Sequence, residues 1–162
     1  MRNKAISPFI ASTLIILIGI TSIYLVLTVL TPSIDKAKDS AVINEALQNM
    51  KLIDDSVREA ASEGEGSKKT FSLKVTEGTY KVDSNINHIN FSYTAKTDLD
   101  VTGQRDNIHI IHSGNDIILF INYTRLQLQG FDHFTKGENS VTILFNGTNA
   151  TTHYPIIYVG KI

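Results

Sequence analysis

The chain has no cysteine, which removes disulfides, thiolate nucleophiles and sulfur-ligated metals, and leaves any globular part to packing and backbone pairing. It also lacks a surplus of either charge, since 15 Lys and Arg stand against 16 Asp and Glu for a net charge of −1. Neutralising several phosphates takes clustered Lys and Arg, and no basic patch stands out, so nucleic acid is not an expected partner. Catalytic signatures are missing too. There is no Gly-rich phosphate loop, no Gly-x-Ser-x-Gly elbow and no His-Glu-x-x-His, and the acidic residues of the C-terminal part are scattered singly. The expectation is a protein that is not an enzyme and needs no cofactor or metal.

What the chain has in excess is an apolar start. No charged residue occurs from Ala5 through Ile34, and Ile6 to Leu30 is rich in Ile, Leu and Val. As a helix that stretch is roughly 37 Å long at about 1.5 Å per residue, enough to cross a hydrocarbon core of about 30 Å with some tilt. A helix buried in a soluble core seldom runs this far without a polar face. A secretory signal would be shorter and followed by a small-residue cleavage site, so removal of the whole segment is not expected. Arg2 and Lys4 precede the run, while Asp35, Lys36, Lys38 and Asp39 follow it with balanced sign. The positive excess predicts a cytoplasmic N-terminus, with the rest of the chain outside the cell membrane.

The string Lys4-Ala5-Ile6-Ser7-Pro8-Phe9-Ile10-Ala11 resembles the processing region of archaeal type IV prepilins, where a basic and a small residue precede an apolar helix that often opens with Ser-Pro. The resemblance covers about the first 35 residues only. It implies a leader of residues 1–5, cut between Ala5 and Ile6 by a prepilin peptidase, with Lys4, Ala5 and Ile6 as the processing residues. It further implies that the retained helix anchors the precursor in the membrane and later packs against copies of itself, with Ile10, Leu14, Leu17, Tyr24 and Leu27 in the filament core. Both settings are apolar, so one surface suits both. Gly is commoner than Ala before the cut in this family, and Ile10 stands where bacterial pilins carry Glu, which sets the bacterial subtype aside. Read without the resemblance, Lys4-Ala5 also fits the positive flank of a plain membrane anchor.

Pro8 suits a first helical turn with Ser7 as N-cap, and Thr31-Pro32 marks the exit from the apolar zone, with a kink expected at the proline. Beyond it Ala46, Met50, Ile53, Val57 and Ala60 recur at helical spacing while Lys36, Asp39, Glu45, Lys51, Asp54 and Glu59 fall elsewhere. This predicts an amphipathic stalk over 33–62, continuing the hydrophobic segment 6–31, with its stripe covered by the head of the same subunit. Ser62 to Ser67 reads as a linker. From 68 to 162 the runs Thr70–Val75, Thr79–Asp83, His88–Ala95, Asn107–His112, Asp116–Thr124, Ser140–Phe145 and His153–Val159 read as strands. Thr76-Glu77-Gly78, Ser113-Gly114-Asn115 and Asn146-Gly147 are the expected turns. Ile117 to Ile121 is apolar on both faces, which predicts a central strand covered on both sides. The fold class expected is α+β: one long N-terminal helix and an antiparallel β-sandwich-like head of about seven strands, lollipop-shaped.

Four Asn-x-Ser/Thr sequons occur, at Asn90, Asn122, Asn146 and Asn149, and an outside location makes them candidate N-linked glycan sites. His109 and His112 are the nearest histidine pair, but residues three apart on a strand point to opposite faces. Asp98, Asp100 and Asp106 could approach a cation, a solvated loop being the commoner explanation. The leading functional expectation is a homopolymeric pilus-like filament subunit for adhesion. The alternatives are a single-pass membrane-anchored surface binding module and an archaellin-like motility subunit.

Overall fold

The computed structural model describes residues 8–130 and 133–161; Lys4, Ala5, Ile6 and the N-cap candidate Ser7 lie outside them. A single helix, α1, runs from Pro8 to Glu63 over 56 residues, about 84 Å at 1.5 Å per residue. It continues through Pro32, although that proline cannot supply the backbone donor that the Thr28 carbonyl would otherwise receive.

Ten strands follow: β1 (Lys68–Val75), β2 (Thr79–Asp83), β3 (His88–Thr94), β4 (Gly103–Arg105), β5 (Ile108–Ser113), β6 (Asp116–Asn122), β7 (Gln127–Gln129), β8 (His133–Phe134), β9 (Gly137–Thr148) and β10 (Pro155–Gly160). They form a four-stranded sheet in the order β1-β9-β10-β7 and a six-stranded sheet in the order β4-β5-β6-β3-β2-β8. The pairings are antiparallel except for β7 with β10. The protein is therefore α+β, a long apolar helix followed by a β-rich head. Three strands beyond the expected set, β4, β7 and β8, are two or three residues long, too short to show an alternation in sequence.

One core unites the elements. Val42, Ile43, Ala46, Met50, Ile53, Val57 and Ala60 of α1 join Leu73, Val141, Ile143 and Ile157 of the smaller sheet and Ile89, Phe91, Ile117, Leu119 and Ile121 of the larger one. The head thus covers the apolar stripe of its own helix, as a chain with so few core residues requires. Strand alternation is clean, as in β6, where Ile117, Leu119 and Ile121 point inward.

Three sequence expectations need correction. Thr76-Glu77-Gly78 does not close a hairpin, because β1 pairs with β9 and β2 with β3; it carries the chain from one sheet to the other. Asn146-Gly147 lies inside β9, whose turn to β10 comes after Thr148. And β6, though central in its sheet, is covered on one face only, since Ile118 is 37 % exposed on the other. The Ser113-Gly114-Asn115 turn does close a hairpin, with Ser113 opposite Asp116 and Gly114 at φ 66°, the positive value a tight hairpin turn needs at its first position.

Gly78 makes the sheet-to-sheet crossing possible. Its φ is 86°, and a Cβ there would overlap the Phe91 ring and come within 2.8 Å of the Ser92 carbonyl oxygen. Gly78→Ala is expected to cost about 2–4 kcal/mol, from a disfavoured backbone and an overpacked ring together. Denaturant unfolding of residues 35–162, the head together with the covered half of α1, measures it, and a loss below about 0.5 kcal/mol would contradict the crowding.

Candidate functional site

The feature that sets this molecule apart is a helix with two different halves. From Phe9 to Ile34 every large apolar side chain is at least 50 % exposed, and Phe9 is 78 % exposed. Ile10, Leu14, Leu17, Tyr24 and Leu27 are all in this exposed set, and their spacing puts them along one face. The helix is long and apolar enough to cross a membrane. Its hydroxyls do not spoil that surface. Ser12 and Thr13 donate to the Phe9 carbonyl, Thr21 to Leu17, Ser22 to Ile18, Thr28 to Tyr24, Thr31 to Leu27 and Ser33 to Val29. Each of these Ser and Thr hydroxyls is turned back onto the helix's own backbone, so that, Tyr24 apart, what faces outward is mostly methyl and methylene. Leaving this much apolar surface in water is costly, at roughly 1.5–3 kcal/mol for each large side chain.

The second half is fastened to the head by polar contacts that flank the apolar stripe. Asp39, only 1 % exposed, accepts from the Tyr93 hydroxyl at 2.5 Å, the Lys96 and Thr97 amides at 3.0 and 2.8 Å, and the Thr97 hydroxyl at 2.7 Å. Burial works against its ionisation, but these donors outweigh it and hold the carboxyl below the usual aspartate range. Burial, and then the bond to Asp39, push the Tyr93 phenol up. Glu45 takes the Thr76 amide and hydroxyl at 2.8 and 2.6 Å, and the Asn49 amide donates to the Lys74 carbonyl at 2.8 Å. Asp54 accepts from Arg58 at 2.9 Å and from Asn107 at 3.1 Å, and the Arg58 guanidinium lies over the Tyr123 ring. At the far end the Ser67 hydroxyl closes on the Ala60 carbonyl at 2.8 Å.

These contacts also give the head two poles. Beside Asp39 lie Tyr93, Lys96 and Thr97, with Asn115 bonded to Ala95. Beside Ala60 lie Ser67 and the start of β1, where Lys68 faces Leu144 and β9 runs on to Thr148. Asn146 and Asn149 therefore sit at the pole away from the apolar half. Asn122 ends β6 at the same pole, opposite His88, and its side chain is exposed.

The sequons differ in chemistry. The Asn149 side-chain oxygen Oδ1 accepts the Thr151 and Thr152 backbone amides at 2.9 and 3.0 Å in a turn, while its side-chain Nδ2 donates to Gln127 at 2.8 Å. Asn146, in a strand and not in a turn, donates to Gln129 at 3.1 Å. Asn90 is half-buried in mid-strand, its side-chain oxygen Oδ1 without a hydrogen bond.

The titratable groups elsewhere do not converge. His109 stacks on Phe120 on the outer face of β5, whereas His112 turns to the other side, 3.8 Å from Asp98. Asp106 faces Lys51 at 4.0 Å. Among the described residues no three His, Cys, Asp or Glu side chains are grouped to hold a metal ion. Sequence reasoning missed the fastening residues, above all Asp39 and Asp54, which it placed on the solvated side of the stalk. Comparison of the chain with protein-family models, with curated proteins and with solved structures finds no match.

Proposed function

We propose that this chain is the structural subunit, a pilin, of an extracellular archaeal type IV pilus-like filament that serves adhesion to surfaces. The observation that carries the reading is the division of α1. A half with nothing to cover it, rigidly continued into a half built into the head, suits a subunit that keeps its apolar rod in lipid as a precursor and exchanges lipid for sister rods on assembly. The exchange trades one apolar environment for another, so packing can decide it and no chemical step on the rod is needed. On this reading the N-terminus is cytoplasmic, the head is outside, the partners are other copies of the chain and a prepilin peptidase, and the protein is not an enzyme. Asn122 and Asn149 are the preferred glycan sites, because both are at the pole that would face outward and neither requires the inner packing to open.

Mass spectrometry of the native protein is expected to find a mature chain beginning at Ile6. Exchanging both processing residues, Lys4→Glu with Ala5→Glu, is expected to abolish fibres while leaving membrane insertion intact. Fibres built from the uncut variant would overturn the processing model, and a native chain beginning at Met1 would favour the static single-pass anchor.

A further inference from the structure

The apolar half and the head do not meet at a clean boundary. A cleft of about 610 Å³ runs along one side of α1, lined by Tyr24, Leu27, Thr31 and Asp35 of the helix and by Lys96 and Thr97 of the connection between β3 and β4. That connection is firmly held, for its Lys96 and Thr97 amides are bonded to Asp39 and Leu99 is buried. The head therefore reaches back beside the last turns of the charge-free part of the helix, with Asp35 as the first charge beyond them.

We infer that this cleft is where the head rests on a lipid bilayer, with the headgroup layer as its occupant. The connection from Lys96 to Asp100 acts as a depth stop that sets the outer edge of the hydrocarbon near Thr28, not at Asp35 where the charge-free run ends. The inference rests on the membrane reading of the helix and adds to it a position and a contact surface.

Three observations carry it. First, Asp98 and Asp100 sit in the same connection, and the Asp98 side chain is 93 % exposed; carboxylates of this kind do not enter hydrocarbon. Second, the charge-free run from Ala5 to Ile34 would span about 45 Å as a helix, well beyond a hydrocarbon core of about 30 Å, whereas ending the lipid-facing part near Thr28 leaves about 36 Å, which moderate tilt accommodates. Third, the rim of the cleft carries both signs, Lys96 and Asp35, matching the phosphate and the ammonium of a zwitterionic headgroup. With Lys36 and Lys38 set against Asp98 and Asp100, this end of the head has no basic excess that would call for anionic lipid. The placement leaves Tyr24 just inside the outer edge, where an amphipathic ring with a polar tip is favoured.

The native chain has no cysteine, so a single introduced thiol reports alone. The full-length chain is inserted into phosphatidylcholine vesicles and exposed to a membrane-impermeant maleimide, with Asn122→Cys, exposed at the far pole of the head, as the head control in the same lipid. Val29 is 68 % exposed and Leu17 is 62 % exposed, so protection at either site comes from lipid and not from the protein. Val29→Cys is expected to react within about threefold of the control, and Leu17→Cys at least about tenfold more slowly. If Val29→Cys is as protected as Leu17→Cys, the depth stop is wrong while the membrane reading stands. If Leu17→Cys reacts as fast as the head control, the membrane reading itself is wrong.

Discussion

A chain shortened to residues 35–162 is expected to fold as a soluble monomer, and one shortened to residues 66–162 is expected not to fold. The first truncation removes only the half of α1 whose large apolar side chains are exposed, and keeps Asp39 with every head contact it makes. The second removes Val42, Ile43, Met50, Ile53 and Val57 from the shared core. At about 1.5–3 kcal/mol for each large buried side chain, that loss alone is comparable to the whole stability of a typical domain, about 5–15 kcal/mol. It also uncovers the inner faces of both sheets, which are then available for aggregation. Circular dichroism and analytical ultracentrifugation of the two fragments decide the matter. A folded, monomeric 66–162 fragment would show that the head is independent of its helix and that the core described above is misassigned.

Asp39→Ala is expected to be the most damaging single change on the stalk, costing about 3–5 kcal/mol in the 35–162 fragment. The cost comes from leaving several buried donors, the Tyr93 and Thr97 hydroxyls and the 96 and 97 amides, without their shared acceptor. For a domain of this size that corresponds to a fall in Tm of roughly 10–20 °C. The same residue makes stability depend on pH in a defined direction. Its folded carboxyl titrates below its unfolded value, so its contribution is complete above about pH 4–5 and is lost as the pH falls through the ordinary aspartate range and below it. Asp39→Asn removes that proton linkage. Unfolding free energies measured between about pH 6 and about pH 3 should therefore fall less steeply in Asp39→Asn than in the parent; equal slopes would contradict the assignment. Glu45, which holds Thr76 by a similar pair of bonds, is only half-buried, and its replacement is expected to cost less.

The long helix, the linker after it and most of the strands were legible because each rests on a local signal: unbroken apolarity, a helical repeat, or alternation of β-branched residues. The stripe Ala46, Met50, Ile53, Val57 and Ala60 could be read as a face to be covered, and the head covers it. What escaped depends on partners distant in sequence. Asp39 looked like one more solvated stalk charge, yet its acceptors are matched by donors 54 to 58 residues away. A clue was present, since position 39 lies two turns before Ala46 and continues the apolar stripe toward the N-terminus. A charge on the covered face predicts a buried partner, but nothing local says which. The apolar outer side of β6 misled in the opposite way. Ile118 and Phe120 suggested a second covering layer, whereas Ile118 is partly open and Phe120 is flanked by His88 and His109 rings. The turn at Asn146-Gly147 failed because a composition that favours turns was absorbed into a twelve-residue strand.

The proposed function turns on what becomes of the exposed half of α1 when lipid is taken away. Sedimentation of the full-length mature chain, first in detergent and then after its removal, reads this directly, with the 35–162 fragment as the reference that stays in solution. The expected result is a pelleted species that electron microscopy resolves as uniform fibres, their cores protecting Leu14 and Leu17 from solvent. A whole chain that remains a dispersed monomer without detergent would contradict both the membrane and the filament roles of the helix.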